Sequence, residues 1–388
     1  MEVGIAAKLH LLTLTPFYPS LENEVSGCFV AEPLQQLQAI GVTSSVIAVE
    51  SLYRAGKKVS RQFPAEWVRY PGLPGNFGLS SSGKFLGRAL LSRVRQLHRH
   101  SPIHVIHAHA ALPCGQAAAF LSRCLRIPFV VTIHGLDVFN GCFQQGMAAE
   151  WRRNASSAVY RSASKVICIS EKVLELLRDG ESAPVPAEVV YNGADPNLFA
   201  PGFEPEGPAI LVVGNLLAGK GHDLVIGALD RLRYSYPDLP CVIIGEGADR
   251  ERFVALAKKL GVSDQVHFLG RRSRAQVAEA MRSCAVFVLP SRNEGLGCVY
   301  LEAMACGKPV IACQGQGIDK IIQHGSNGWL IPVDGLNELV QGLEVLLGDA
   351  PLRSRVGEAA RQTVLSKLTL SLQARSLLRI YEDVSRRP

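Results

Sequence analysis

The chain has 388 residues, of which 47% are hydrophobic and 19% are charged. This length is too great for one hydrophobic core and fits two domains, and the composition excludes a disordered chain. The net charge of +7 is modest and no basic-aromatic pattern accompanies it, so nucleic acid is not an expected partner. No apolar run reaches the ~20 residues of a membrane-spanning helix.

The ten cysteines are scattered and form no Cys-x-x-Cys pair. Cysteines in apolar stretches indicate buried thiols in a reducing compartment rather than disulfides or zinc ligands. The first residues show no basic leader or cleavage pattern. We therefore expect a cytoplasmic protein. Residues 1–200 hold 19 Lys and Arg against 14 Asp and Glu, an excess that could face anionic lipid on the inner side of the plasma membrane.

The first fifty residues predict a β-loop-α-β unit. A strand at 9–14 leads into a loop rich in Pro and Ser that ends at Gly27, and a helix at 29–40 and a strand at 46–49 follow. This opening is Rossmann-like, although the glycine-rich dinucleotide fingerprint is absent. Gly27 either lets the loop backbone approach an anion or is a plain turn glycine.

Residues 84–100 have the spacing of an amphipathic helix with a basic polar face. Leucines and a valine share one face, and lysine and arginines occupy the rest. Such a helix can lie on an anionic membrane surface. More often its apolar face packs on its own domain, and both alternatives are open.

Two short apolar strands each end at histidines. The strand at 103–107 ends at His107, with His109 two residues later, and the strand at 129–133 leads into His134, with Asp137 three residues after it. In open α/β sheets, ligands bind beyond the carboxyl ends of the strands, so both sets fall where a ligand site is expected. A lone histidine at a strand end is usually structural. Two such sets favour a functional role for at least His134.

The second half of the chain begins again with a strand. Residues 196–208 are rich in Pro and Gly without periodicity, which predicts a hinge. A strand at 209–213, a glycine-containing loop and a helix then repeat the earlier arrangement. Lys220 and Gly221 stand where a phosphate would meet the start of that helix, although the spacing of a P-loop is missing.

The stretch 289–312 predicts a strand–loop–helix–strand unit that carries two glutamates. Glu294 lies in a loop with Gly295 and Gly297, and Glu302 lies about one turn into the helix. Two carboxylates placed in this way can converge on one ligand and accept hydrogen bonds from vicinal hydroxyls, as on a ribose or a hexose. The alternative is a helix-capping glutamate and a solvated helix glutamate.

This unit resembles the paired-glutamate motif of the family-4 retaining glycosyltransferases with the GT-B fold. The match joins the two glutamates, their spacing, the glycine loop and the trailing run AMACGKPVIA. The segment Asn192-Gly193-Ala194-Asp195 and the later glycine segments, 315–317 and 325–328, are also similar to the family. The resemblance covers nearly the whole chain and is strongest from 209 to 328.

The resemblance implies an α/β, GT-B fold with two Rossmann-like domains that face each other across a deep cleft. The domains implied are an acceptor domain at 1–195, a hinge at 196–208 and a donor domain at 209–369, with a helix at about 370–388 that crosses back to the first domain. Members of the family bind a nucleotide-diphosphate sugar and need no divalent metal or other cofactor. The chain has no Asp-x-Asp motif to hold a metal.

The resemblance also implies roles for single residues. Lys220 would stabilise the negative charge that grows on the leaving diphosphate. Glu302 would bind the ribose hydroxyls, Glu294 the hydroxyls of the transferred sugar, and His134 would lie close to that sugar. The implied donor-binding residues are Asn215, Lys220, Gly221, Arg271, Glu294, Gly295, Leu296, Gly297 and Glu302, and those implied for the acceptor or the cleft are Gly27, His109 and Asp137.

Two positions depart from the family pattern. Many members have Arg at the position of Asn215, and its replacement by Asn leaves more of the diphosphate neutralisation to Lys220. Lys320 stands where many members have Glu, which leaves the role of that position open.

The function implied is transfer of a sugar from a nucleotide-diphosphate sugar, a UDP-sugar, to a glycan or lipid-linked acceptor in bacterial polysaccharide biosynthesis. One alternative is a nucleotide-sugar epimerase of the same fold, which would turn over the donor without an acceptor. Another is a non-catalytic sugar-binding protein. A glycosidase is disfavoured because its two carboxylates must flank the bond, and here both lie on one loop–helix unit.

Overall fold

The computed structural model describes residues 9–52, 60, 62–71, 79–135, 146–181, 183–202 and 209–386. The chain forms two compact units. One is made by the chain up to Tyr191 together with the segment from Leu370, and the other by Asn192–Thr369. Of the predicted hinge, residues 196–202 belong to the second unit and 203–208 lie outside the described residues.

The first unit is built on a sheet of seven parallel strands in the order β3-β2-β1-β4-β5-β6-β7. The strands are β1 His10–Thr15, β2 Thr43–Ser51, β3 Glu66–Tyr70, β4 Val105–His109, β5 Phe129–Ile133, β6 Lys165–Cys168 and β7 Ala187–Val189. The helices before the second unit are α1 Cys28–Ala39, α2 Leu79–His100, α3 Gln116–Leu125, α4 Met147–Ser162 and α5 Glu171–Gly180. Strands β1, β4 and β5 are buried along their whole length, as expected for a parallel sheet covered on both faces.

The second unit contains six parallel strands in the order β10-β9-β8-β11-β12-β13. The strands are β8 Ile210–Val213, β9 Cys241–Ile244, β10 Val266–Gly270, β11 Val286–Val288, β12 Val310–Cys313 and β13 Trp329–Ile331. The helices are α6 His222–Leu232, α7 Arg250–Leu260, α8 Arg274–Ser283, α9 Cys298–Ala305, α10 Leu336–Gly348 and α11 Ala350–Lys367.

Both sheets have the strand order of a doubly wound Rossmann fold. Each chain path runs from a central strand to one edge and then crosses to the other side, so the order reverses between β1 and β4 and again between β8 and β11. In open α/β sheets, ligands bind at this reversal, beyond the carboxyl ends of the strands. The prediction of two Rossmann-like domains is confirmed.

The last helix, α12 Leu370–Ser385, belongs to the core of the first unit. The helix implied at about 370–388 runs over Leu370–Ser385, and Leu368 and Thr369 separate it from α11. The apolar face of α12 packs with Leu11 of β1 and Leu37 of α1. Its buried members in this cluster are Ala374, Leu377, Ile380, Tyr381 and Val384.

Helix α2 shows how the predicted basic amphipathic segment is used. Its apolar residues Leu86, Leu90 and Val94 are buried, and the helix packs on α3 inside the first unit. Its basic side chains are exposed, namely Lys84, Arg88, Arg93, Arg95 and Arg99. The apolar face is therefore part of the unit, and contact of the basic face with anionic membrane stays a prediction. Among the described residues, no helix has the length and apolar character needed to cross a membrane.

Candidate functional site

Lys220 and Glu294 lie on two neighbouring loops of the second unit. The loop after β8 ends in a short 3₁₀ turn, Ala218–Lys220, and the loop after β11 carries Glu294. The Nζ atom of Lys220 lies 2.5 Å from Oε2 of Glu294, and the two side chains are 23% and 14% exposed. The structure thus brings together an ammonium and a carboxylate at the reversal point of the second sheet.

Glycine allows the two loops to approach each other closely. Gly221 has φ +75°, and a Cβ atom there would lie 2.1 Å from the carbonyl oxygen of Pro290. Any larger residue would push the loop after β8 away from the loop after β11. Gly221 therefore has a packing role in addition to its place at the start of α6.

A third segment holds the backbone of Glu294. Its N–H donates to Oε1 of Gln316 at 2.9 Å, and its carbonyl accepts from the N–H of Gly317 at 3.0 Å. A Cβ atom on Gly317 would lie 1.7 Å from the carbonyl oxygen of Gly295, so only glycine fits there. The predicted late glycine segment is thus the support on which the Glu294 loop rests.

Glu302 lies one turn into α9 and is 3% exposed. Its Oε1 accepts a hydrogen bond from Nη1 of Arg274 at 2.6 Å, and the Arg274 guanidinium lies 4.8 Å from the ring centre of Phe199. Among the described residues, Oε2 of Glu302 has no hydrogen-bond partner. An unpaired buried carboxylate oxygen is costly, so this atom is well suited to accept hydrogen bonds from a ligand.

Arg292 binds two carboxylates beside Lys220. Its guanidinium donates to both oxygens of Asp223 at 3.0 and 2.9 Å and to Oδ1 of Asp334 at 2.7 Å. Burial alone would raise the pKa of Asp223, but the hydrogen bonds and charge of Arg292 hold it below the ordinary value. Sequence reasoning missed Arg274, Arg292 and Asp223, because no local pattern shows which distant carboxylate an arginine binds.

The other predicted donor residues lie in loops and differ in exposure: Asn215 and Arg271 are exposed, whereas Gly295 and Leu296 are buried. Asn215 follows β8, and its carbonyl accepts from the N–H of Leu217 at 2.8 Å. Arg271 follows the last residue of β10 and is exposed, as is Lys320. The buried Leu296 and the partly exposed Gly297 lie just before α9.

In the first unit, the prediction that the histidine strand ends at 107 is wrong. Strand β4 continues to His109, so His107 lies inside the sheet and is 1% exposed. Its Nε2 lies 2.7 Å from the hydroxyl of Thr132, and its Nδ1 lies 2.7 Å from the hydroxyl of Tyr381 on α12. Burial lowers the pKa of His107 to about 3, which keeps it neutral at pH 7. His107 is therefore a hydrogen-bonded core residue.

His109 and His134 form a pair at the ends of β4 and β5. Nδ1 of His109 lies 2.9 Å from Nε2 of His134, and the rings are stacked with centres 5.1 Å apart. His134 is partly exposed and packs against Phe29 at 4.7 Å and Phe17 at 5.8 Å. Burial among these rings lowers the pKa of His134 to about 3. Asp137 lies outside the described residues.

Gly27 precedes α1 with φ +78°. A Cβ atom at this position would lie 2.4 Å from the backbone of Phe17 and of Tyr18. The turn itself therefore requires glycine at position 27, which agrees with the second of the two alternatives. Contact of Gly27 with an anion stays a prediction.

No group of three or more His, Cys, Asp or Glu side chains within the described ranges could hold a metal ion. The two glutamates of the motif each form an ion pair, Glu294 with Lys220 and Glu302 with Arg274.

Comparison with known proteins decides the family. The model described as "Glycosyltransferase Family 4" matches residues 29–198, and the model described as "Glycosyl transferases group 1" matches residues 195–363. An uncharacterized glycosyltransferase of Methanocaldococcus jannaschii is 30% identical over 284 residues, which cover 73% of this chain and 76% of that protein. This chain is a family-4 glycosyltransferase. The resemblance noted from the paired glutamates is confirmed, and so is the expectation of an enzyme.

Two further similarities place this glycosyltransferase among its relatives. A D-inositol 3-phosphate glycosyltransferase of Jonesia denitrificans is 31% identical over 303 residues, covering 72% of this chain and 71% of that protein. The solved structure of Anabaena Alr3699/HepE in complex with UDP and glucose has a TM-score of 0.75 at 18% identity, covering 96% of this chain and 99% of that one. This likeness supports the GT-B fold.

Proposed function

We propose that this glycosyltransferase moves a sugar from a UDP-sugar to a glycan or lipid-linked acceptor in polysaccharide biosynthesis, with retention of the anomeric configuration. The observation that carries the proposal is the Lys220–Glu294 pair at the reversal point of the second sheet. An ammonium at this point can neutralise a diphosphate, and the neighbouring carboxylate can accept hydrogen bonds from sugar hydroxyls. The UDP in the Anabaena neighbour supports the choice of base.

Lys220 is proposed to act on the diphosphate. Helix α6 begins at His222, directly after Lys220 and Gly221, so Lys220 stands at the positive end of the helix dipole, which favours a phosphate at the same place. As the bond to the sugar breaks, negative charge grows on the leaving diphosphate. A fixed ammonium stabilises this charge more in the transition state than in the ground state, which is the requirement for acceleration.

The two glutamates are proposed to bind different parts of the donor. Glu302 offers its unpaired Oε2 atom to the ribose hydroxyls, and Arg274 holds the other oxygen of this carboxylate by an ion pair. Glu294 would accept hydrogen bonds from the transferred sugar. Its negative charge also stabilises the positive charge that develops on the sugar ring in an oxocarbenium-like transition state.

His134 is proposed to hydrogen-bond the transferred sugar as a neutral ring. Because burial lowers the pKa of His134 to about 3, its imidazole ring is uncharged at pH 7. His109 occupies one of its ring nitrogens, which leaves the other for a ligand. His134 would therefore orient the sugar and would not supply a proton.

The acceptor and the compartment are further parts of the proposal. The name of the Jonesia denitrificans relative contains D-inositol 3-phosphate, which is neither a glycan nor a lipid-linked sugar. The proposed acceptor of this chain is therefore not taken from that relative. A glycan or lipid-linked acceptor rests on the similarity of the segment ACQGQGIDKIIQHGSNG to members that build polysaccharides. A cytoplasmic location is supported by nine free cysteines among the described residues, seven of which are buried.

A panel of nucleotide sugars tests the proposal. UDP and one UDP-sugar should raise the midpoint of thermal unfolding, because a ligand at 100 times its Kd adds about 2.7 kcal/mol to the free energy of unfolding. Proton NMR of the transfer product should show the same anomeric configuration as the donor. A shift only with other bases would refute the UDP assignment. Turnover of the donor sugar into its epimer without an acceptor would favour the epimerase, and binding without any turnover would favour a binding protein.

A further inference from the structure

Arg292 lies on the loop that carries Glu294 and binds the loop that carries Lys220. We propose that Arg292 is a positioning residue for sugar transfer, which holds the turn Ala218–Lys220 at a fixed distance from the Glu294 loop. This inference rests on the proposed function, because it takes Lys220 as the group that acts on the diphosphate.

Arg292 holds the turn at two consecutive backbone carbonyls. Its Nη1 atom donates to the carbonyl of Ala218 at 2.5 Å, and its own backbone N–H donates to the carbonyl of Gly219 at 2.8 Å. Lys220 is the next residue of the turn and Glu294 is two residues after Arg292. The Arg292 contacts therefore set the separation between the Lys220 ammonium and the Glu294 carboxylate.

Arg292 is itself fixed by two carboxylates on other segments. Asp223, in the first turn of α6, accepts two parallel hydrogen bonds, and Asp334, before α10, accepts one at Nε. The side chain is 26% exposed, so these bonds are partly shielded from water. A guanidinium can serve all of these acceptors at once because its donors are arranged in a rigid planar fork, whereas an ammonium cannot.

The same contact neutralises a negative charge close to the proposed diphosphate. Asp223 lies three residues after Lys220 at the start of α6, where its carboxylate alone would repel an anion. With Arg292 bound to both of its oxygens, Asp223 is paired at short range, and the second carboxylate on Arg292, that of Asp334, is 61% exposed and screened by water. Arg292 thus favours the anion and aligns Lys220, without being placed to touch the substrate itself. Small displacements of a charge-stabilising group cost much of its catalytic effect.

A double-mutant cycle between Arg292 and Lys220 tests this role. Lys220→Ala should lower kcat about 10²-fold, in line with the loss of one charge-stabilising donor. Arg292→Lys keeps the charge but loses the fork, and we expect about a 10-fold loss of kcat from misplaced Lys220. In the Lys220→Ala background, Arg292→Lys should cost less than about 2-fold, because the group that it positions is already gone.

Arg233→Lys is the matched control. Arg233 also binds an aspartate, Asp230, and a backbone carbonyl, that of Leu260, both at 3.1 Å, but it lies at the far end of α6. This variant should transfer at the wild-type rate. If Arg292→Lys retained the same cost in the Lys220→Ala background, or cost nothing in either background, the positioning role would be overturned. Wild-type transfer by Lys220→Ala would instead overturn the role of Lys220 and the inference with it.

Discussion

The two glutamates of the proposed donor site differ in the cation that each one faces. Glu294 pairs with Lys220, a residue proposed to bind the diphosphate, whereas Glu302 pairs with the partly buried Arg274. A diphosphate that binds Lys220 must therefore compete with Glu294 for the same ammonium. It does not compete with Glu302. Replacing each carboxylate by an amide should affect nucleotide binding in opposite directions.

Glu294→Gln is expected to tighten UDP binding by a few-fold and to slow transfer. The tighter binding follows because the lone ammonium then has no competing carboxylate. The slower transfer follows because the charge that stabilises the developing positive sugar is lost, which lowers kcat more than it raises KM. Calorimetry with UDP and initial rates with the full donor measure the two effects. Weaker UDP binding by this variant would show that Glu294 contacts the nucleotide.

Glu302→Gln is expected to weaken UDP binding, mainly as a raised KM for the donor. The ribose does not change during the reaction, so its hydrogen bonds contribute equally to the ground state and the transition state. The change also leaves Arg274 without its carboxylate, so thermal unfolding should be measured in parallel. Glu279→Gln, on the exposed face of α8, is the control and should behave as wild type. Unchanged UDP affinity in Glu302→Gln would remove this residue from the ribose site.

At this scale the sequence predicts the residues that belong to a local motif and misses the ones that complete it from a distance. Lys220 and Glu294 could be chosen because each lies in a glycine-containing loop that follows a strand. Their partners could not, because Arg292 and Asp223 are 69 residues apart in the chain and Arg274 and Glu302 are 28 apart. Such pairings depend on the strand order, which the sequence pattern does not determine.

Among the elements, β4 and β5 position a cluster of three neutral histidines, and α12 packs against one of them through Tyr381. His107 bonds to β5 and to Tyr381 of α12, and His109 bonds to His134. Burial lowers the pKa of His107 and His134 to about 3 and that of His109 well below its ordinary value. The fold of the first unit therefore requires these rings to be uncharged.

Acid should weaken the fold through this cluster. In the unfolded chain each histidine takes up a proton below pH 6.5, but in the folded chain His107 stays neutral down to about pH 3, so the unfolded state binds more protons. The stability is complete above pH 6.5 and falls by about 1.4 kcal/mol per pH unit for each such histidine. Denaturant titrations of His107→Gln between pH 7.5 and 5 should show a slope smaller by about this amount.

Tyr381→Phe is the control for this experiment. It removes the hydrogen bond to the same ring but leaves the titrating group in place, so its free energy of unfolding should be lower at every pH with the wild-type slope. An equal slope in wild type and His107→Gln would mean that His107 is protonated to the same extent in both states.

The elements were predicted where an apolar run is long enough to show a period. Strands such as β1 and β12 and helices such as α2 and α9 were found within a few residues. Strands β7 and β13 have only three residues each, too few for an alternating pattern to appear. The end of β4 was placed two residues early, and this error made His107 resemble a site residue. The residues that show the core role of His107 are Thr132 on β5 and Tyr381 on α12. Both are distant from His107 in the sequence, so the local pattern does not show them.

In the whole molecule, two sheets with corresponding strand orders carry different chemistry beyond the carboxyl ends of their strands. Histidines end β4 and β5 of the first unit, whereas the second unit places Lys220 and Glu294 after β8 and β11. The groups proposed to stabilise the diphosphate are thus the Lys220 ammonium and the positive end of the α6 dipole. They belong to the polypeptide itself.

Transfer is therefore expected to survive an excess of chelator. Initial rates with and without EDTA should agree within about 2-fold, since the leaving diphosphate is stabilised by Lys220 and by the positive end of the α6 dipole. The same assay with Lys220→Ala should remain slow whether or not Mg²⁺ is added. Loss of wild-type activity in EDTA, restored by Mg²⁺ or Mn²⁺, would contradict this charge assignment.

The position of α12 in the core of the first unit has a consequence for biosynthesis. Residues 192–369, a span of 178 residues, must be translated before the helix that completes this core is made. At ~5–20 residues per second the delay is about 10–35 s, and throughout it the apolar surfaces of β1 and α1 that later receive α12 lack their partner. The second unit has all its strands by then, so the half of the chain that emerges first from the ribosome is the half that finishes folding last.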